Sequence, residues 1–194
     1  MKTSCLLCSS LLAFLMLASC GTDKGHTYYL DATAGNDTNS GTSAEEAWQS
    51  LDKVKQLTLN AGDKLLLKRG ETFHGQLEIT GKGTATDRIV IDAYGEGEKN
   101  PCIMGHDTSR YAARVYNSDY VTIQNLEIVN TGKERMAGRS GLKIECWDYG
   151  TSHSIRVNGI TVRDVNGSLV KAEGGGCGIL IVNGVSKSPP VSIA

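Results

Sequence analysis

Residues 121–130, Val-Thr-Ile-Gln-Asn-Leu-Glu-Ile-Val-Asn, lie without a gap over residues 155–164, Ile-Arg-Val-Asn-Gly-Ile-Thr-Val-Arg-Asp, at an offset of 34 residues. A period of this size marks a solenoid, whose units bury their apolar faces only by stacking on one another. Within each copy the apolar phase slips. Val121 and Ile123 alternate, then Leu126 and Ile128 continue one step out of register, and Ile155, Val157, Ile160 and Val162 do the same. A straight strand cannot keep both pairs on one face, so the chain must turn a corner at Asn125 and at Gly159, residue types that accept left-handed backbone angles. Each copy closes near a glycine (Gly132, Gly167) and is followed by another short apolar run, Gly141-Leu142-Lys143-Ile144 or Gly178-Ile179-Leu180-Ile181. Two strands, a corner, a turn and a third strand make one coil of a three-sided parallel β-helix.

The chain before the repeat fits the same plan. From residue 64 onward it reads as short apolar strands, Lys64-Leu65-Leu66-Leu67-Lys68, Gln76-Leu77-Glu78-Ile79 and Arg88-Ile89-Val90-Ile91-Asp92, separated by turns bearing glycine. Glycine is abundant, at 23 residues, against 3 Pro and 2 Phe, which suits tight turns better than a helical bundle. Upstream, Ser43-x-x-Glu46 forms a capping box, and Ala44, Ala47, Trp48, Leu51, Val54 and Leu57 recur every three or four positions. This spacing predicts one amphipathic α-helix over residues 43–57. The organisation expected is a leader over 1–19, a tether over 20–27, a strand, loop and capping helix over 28–62, and β-helix coils over 63–194.

The first nineteen residues read as an address. A single positive charge at Lys2 precedes an apolar run from Leu6 to Ala18, too short to span a bilayer that needs about 20 residues. The run ends in Leu17-Ala18-Ser19-Cys20, which resembles the bacterial lipobox, where cleavage precedes a diacylated cysteine. This implies export, lipidation at Cys20 and anchoring to a membrane through the acyl chains. With Gly21 rather than Asp next, the outer membrane is the expected destination, on its periplasmic or surface face. Cys102, Cys146 and Cys177 then remain, allowing at most one disulfide. They match no zinc pattern, and packed thiols are expected. A net charge of −1 gives no support for nucleic-acid binding by bulk charge.

Three stretches carry a family resemblance: Tyr28-Tyr29-Leu30-Asp31 through Gly35-Asn36-Asp37 and Trp48-Gln49-Ser50-Leu51; Ala61-Gly62-Asp63-Lys64 through Arg69-Gly70 with Thr72-Phe73; and the coil repeat from Val121. Together they resemble the right-handed parallel β-helix proteins of the pectate-lyase-like superfamily. The resemblance implies an all-β solenoid with one N-terminal capping helix and a polysaccharide partner. It also implies the N-terminal portion of a polysaccharide lyase or glycoside hydrolase, since active sites of this fold lie on an outer face of stacked strands. The fold hosts many activities, so a non-catalytic glycan-binding lipoprotein or an inactive truncated remnant is the alternative.

The alternation nominates outward-facing residues. Lys143, Glu145, Trp147, Asp148, Arg156 and Arg163 would line a sugar groove, with Trp147 offering a stacking face. No catalytic residue is singled out, and no metal site is expected, because no cluster of carboxylates converges; calcium would enter only if the full-length protein is a lyase. Asp31, Asn36, Asp37 and Asn39 lack the acidic twelfth ligand of an EF-hand and read as a loop satisfying its own backbone. His74 and His153 show no partner by spacing and read as structural. Val191-Ser192-Ile193 looks like the opening of a further coil with no cap after it, so an open, incomplete C-terminal end is expected.

Overall fold

The computed structural model describes residues 25–186. The leader, Cys20 and the expected further coil at 191–193 lie outside the described residues.

Three parallel sheets wrap one apolar interior. The first stacks β1 (Thr27–Leu30), β3 (Lys64–Lys68), β7 (Ile89–Tyr94), β10 (Val121–Gln124) and β13 (Arg156–Asn158). The second stacks β4 (Thr72–His74), β8 (Cys102–Met104), β11 (Glu127–Asn130) and β14 (Thr161–Val165), and the third β5 (Leu77–Ile79), β9 (Tyr111–Tyr116), β12 (Ser140–Trp147) and β15 (Cys177–Gly184). A short pair, β2 (Leu59–Asn60) with β6 (Gly81–Lys82), closes one corner. Successive strands visit the sheets in turn, which makes a solenoid of about five turns, of the right-handed type that parallel crossovers favour.

The register reproduces the sequence repeat. Thr122, Ile123 and Gln124 pair with Arg156, Val157 and Asn158, and Glu127, Ile128 and Val129 with Thr161, Val162 and Arg163, each at the offset of 34. The corners fall at Asn125 (φ 54°) and Gly159 (φ 56°), both left-handed. The offset then fails at one place. Asn130 pairs with Val165 rather than with Asp164, which bulges out at φ 54°. Asn130 is itself fully buried and donates to the carbonyls of Ser109 and Ser140, so its side chain ties two turns together from inside.

Alternation decides the core. Leu65 and Leu67, Ile89 and Ile91, Val121 and Ile123, and Leu77 and Ile79 point inward, with Ile103, Ile128, Ala113 and Leu142 completing the layers. Burying each Leu or Ile stabilises the fold by about 2 kcal/mol.

The α-helix expected over 43–57 does not form. Residues 41–46 are bends and turns, Trp48 bridges to Leu30, and only a 3-10 helix, Leu51–Gln56, follows. The Trp48 N–H donates to Tyr29 and its carbonyl accepts from Asp31, while the Gln49 and Ser50 N–H groups donate to Asp37. Those groups are claimed by the neighbouring strand and loop instead of an i to i−4 ladder. The apolar spacing still serves burial, since Trp48, Leu51 and Val54 join the core.

Candidate functional site

The third sheet carries the richest outer face. Glu78 on β5, Arg114 on β9 and Lys143 on β12 occupy one register row, with Tyr116 and Glu145 paired two residues further along. Arg114 donates to Glu78 at 2.6 Å and to Glu145 at 3.4 Å, and Lys143 donates to Glu145 at 2.8 Å. The Arg114 guanidinium also lies against two rings, 4.9 Å from the Tyr111 centroid and 4.6 Å from that of Tyr116. Burial works to lower the pKa of Arg114, but its bond to Glu78 and the charges of Tyr111, Glu78 and Glu145 outweigh it and the pKa is raised. Burial likewise raises the Tyr111 phenol, with Arg114 opposing.

Trp147 ends the β12 row and is 40% exposed. Its indole lies over Gly184 on the next strand, so close that a Cβ there would sit 2.3 Å from the ring, and its Nε1 reaches Ser186 Oγ at 3.3 Å. One face of the ring rests on backbone, which fixes the plane as a platform. Asp148, at φ 51°, turns to brace the next coil: its carboxylate accepts from the Ser186 N–H and hydroxyl, and these bonds hold its pKa low.

The six nominated residues therefore divide. Lys143, Glu145, Trp147 and Asp148 share one strand and its end, whereas Arg156 lies on the first sheet beside Arg88, and Arg163 lies on the second, bound to Glu127 and Asp164. Strand alternation identifies an outward position but not which of three faces it belongs to. Glu78, Arg114, Tyr111 and Tyr116 were not singled out in the sequence. Glu78 sits in an identified alternating strand, but Tyr-Ala-Ala-Arg-Val-Tyr has buried small residues at both Ala112 and Ala113, which blurs the alternation.

His153 has a partner that sequence spacing did not reveal. Its Nδ1 lies 2.9 Å from Asp119 Oδ1, which also accepts from the His153 N–H, while Asp119 Oδ2 accepts from the Tyr149 hydroxyl at 2.6 Å. Burial acts to raise the Asp119 pKa, but these bonds overcome it and hold the carboxyl low. The two loops joined here are one coil apart, so no short motif could show the pair. Asp31 accepts from the Thr33 and Ala34 N–H groups of its own loop and from Lys68 Nζ at 2.6 Å, whereas Asp37 accepts from Gln49 and Ser50 beyond the loop. Cys102, Cys146 and Cys177 are free thiols, Cys102 buried and its pKa raised by that burial. Among the described residues no three His, Cys, Asp or Glu side chains gather to hold a metal.

Two hollows matter. The larger, about 630 Å³, lies between β12, β15 and the loop after β12, where Val115, Ile144 and Ile155 meet the polar Glu145, Ser152 and Asn183. The smaller, about 360 Å³, opens at the corner beyond Tyr116.

No family model matches the chain. It is similar to a lacto-N-biosidase of Bifidobacterium longum subsp. longum, 33% identical over 56% of this chain and 8% of that protein. Two crystal structures of a GH136 lacto-N-biosidase from Eubacterium ramulus, native and selenomethionine forms, superpose at a TM-score of 0.70 with 28% and 27% identity, covering 81% of this chain and 30% of theirs. The chain thus spans less than a third of the relatives it matches. It is a parallel β-helix resembling part of a glycoside hydrolase.

Proposed function

We propose that this chain engages glycans along the outer face of its third sheet, as a carbohydrate-active β-helix of the glycoside-hydrolase kind. The observation that carries the reading is the row Glu78, Arg114, Lys143 and Glu145 flanked by Tyr111, Tyr116 and Trp147. Charged groups fixed by one another in this way present acceptors and donors to vicinal hydroxyls, and aromatic rings meet the apolar face of a pyranose. The cations of this row are already matched by Glu78 and Glu145, so the face suits a neutral glycan better than a uronate chain.

Binding, rather than turnover, is the role these particular side chains support. Glycoside hydrolysis needs one carboxyl able to deliver a proton and a second on the opposite side of the bond. Here Glu78 is paired with Arg114, and Glu145 with both Arg114 and Lys143, so both carboxylates are engaged in holding the row together. Export and anchoring through Cys20 complete the proposal, placing the face where extracellular glycans arrive. Labelling with radioactive palmitate in a bacterial host should mark the protein and be lost in Cys20→Ser.

The test is titration calorimetry of the purified chain against lacto-N-biose, neutral oligosaccharides of two to six rings and oligogalacturonides, with product analysis alongside. Retention of a neutral glycan, weakened about tenfold in Trp147→Ala, is the expected result, as loss of one stacking contact implies. Failure of every glycan to bind would sink the proposal.

A further inference from the structure

We infer that the cleft at the corner beyond Tyr116 is a second carbohydrate subsite, taking one further pyranose ring of a glycan that lies on the third sheet; this rests on the reading of that face given above. The cleft has a volume of about 360 Å³, within the size range of small-molecule sites. Its lining includes two aromatic residues from consecutive coils, Tyr116 at the end of β9 and Tyr149 after β12, together with Leu59. Asn60 and Lys82 stand among the lining residues. The Lys82 ammonium lies 5.6 Å from the Tyr149 ring centroid, and no carboxylate among the described residues lies within salt-bridge distance of it. An apolar, aromatic hollow with a few hydrogen-bonding groups is the complement of a sugar ring, whose faces are C–H and whose equator is hydroxyl.

The walls are held in place before any ligand arrives. Tyr149 donates its hydroxyl to Asp119 at 2.6 Å, and Asp119 is itself held by the N–H and Nδ1 of His153. Burial and this bond push the Tyr149 pKa up to about 12, so the phenol keeps the proton that it donates. Asn117 takes a left-handed conformation (φ 44°) and clamps the next strand, accepting from the Trp147 N–H at 2.7 Å and donating to the Trp147 carbonyl at 2.9 Å. Pre-set walls reduce the ordering cost of binding.

The occupant follows from continuity with the face. Tyr116 belongs to both places: its ring lies 4.6 Å from the Arg114 guanidinium, and the residue is among those lining the cleft. Arg114 and Tyr116 are two residues apart on one strand, about 7 Å, so a chain of linked rings crossing the face passes directly into the corner.

Neutral oligosaccharides of two to six rings should be titrated into wild type, Lys82→Ala, Tyr149→Ala and Trp147→Ala. Wild-type affinity should rise with length until one ring enters the cleft, then level off. Lys82→Ala should weaken the longer ligands about tenfold and leave the disaccharide unchanged, as loss of one charged hydrogen bond would. Lys82 is exposed, so this variant answers even where Tyr149→Ala fails to fold. If Lys82→Ala binds every length like wild type while Trp147→Ala weakens all of them, the subsite is wrong and the face reading stands. If no oligosaccharide binds the wild type, or Trp147→Ala changes nothing, the face reading falls and takes the subsite with it.

Discussion

Replacing Arg114 by Met should destabilise the protein by about 2 kcal/mol, mostly by stranding Glu78. Arg114 joins three strands: it binds Glu78 on β5 at 2.6 Å and Glu145 on β12 at 3.4 Å, and its side chain is 24% exposed against 26% and 14% for the two carboxylates. Charge centres about 4 Å apart attract by about 4 kcal/mol at an effective dielectric constant near 20. Partial solvent exposure and the desolvation of the ions cut the net value to roughly 1–2 kcal/mol, and loss of the stacking on Tyr111 and Tyr116 adds about 0.5–1 kcal/mol. Glu145 keeps Lys143 at 2.8 Å, but among the described residues Glu78 has no second cation. The partner substitution Glu78→Gln should therefore cost little in the Arg114→Met background. Urea unfolding of both single variants and the double variant closes the cycle, with an expected coupling of about 1–1.5 kcal/mol and a fall in Tm of roughly 4–8 °C for Arg114→Met. A coupling below about 0.3 kcal/mol would refute the claim that this bridge staples the face, and would show that solvent screens it.

Three further outcomes are expected. Leu142→Ala empties a fully buried position between β9 and β15 and should lower the urea midpoint by the equivalent of about 3 kcal/mol with m unchanged. At the corner, Asn125→Val should cost about 2 kcal/mol or more, because φ 54° is strained for a β-branched residue and the bond to Asp92 at 2.8 Å is lost; Asn125→Gly should cost less, by the same denaturation assay. Asp119 has its pKa depressed in the fold, so its contribution is fully present above the unfolded value of about 3.9 and is lost as pH falls through the lower folded value. Thermal unfolding between pH 2.5 and 6 should show a shallower acid decline for Asp119→Asn than for wild type, and parallel curves would rule this contribution out.

The relation between sequence and structure is uneven for physical reasons. The repeat, its corners and its inward residues were legible because they are local: alternation has period two, and a phase slip must coincide with a residue that accepts a left-handed angle. The bulge at Asp164 and the burial of Asn130, which binds the carbonyls of Ser109 and Ser140, were not, since both involve pairing between strands rather than local alternation. The capping helix failed because a period near 3.6 reports only that a face is buried. Trp48 and its neighbours are buried, yet their backbone groups pair with Tyr29, Asp31 and Asp37, partners that a helical reading of the spacing ignores.

The site divides in the same way. Lys143, Glu145, Trp147 and Asp148 were recognisable as a set because one strand and its end hold them. Their neighbours Glu78, Arg114, Tyr111 and Tyr116 come from the two preceding coils, and the Asp119, Tyr149 and His153 contacts join loops about 30 residues apart. That the chain coils, where it turns and which residues face in are set locally, because side-chain alternation and backbone sterics act over a few residues. Which outward residues share a face emerges from the stacking of coils, because the register brings side chains 31 to 36 positions apart into contact, and no local preference encodes that distance.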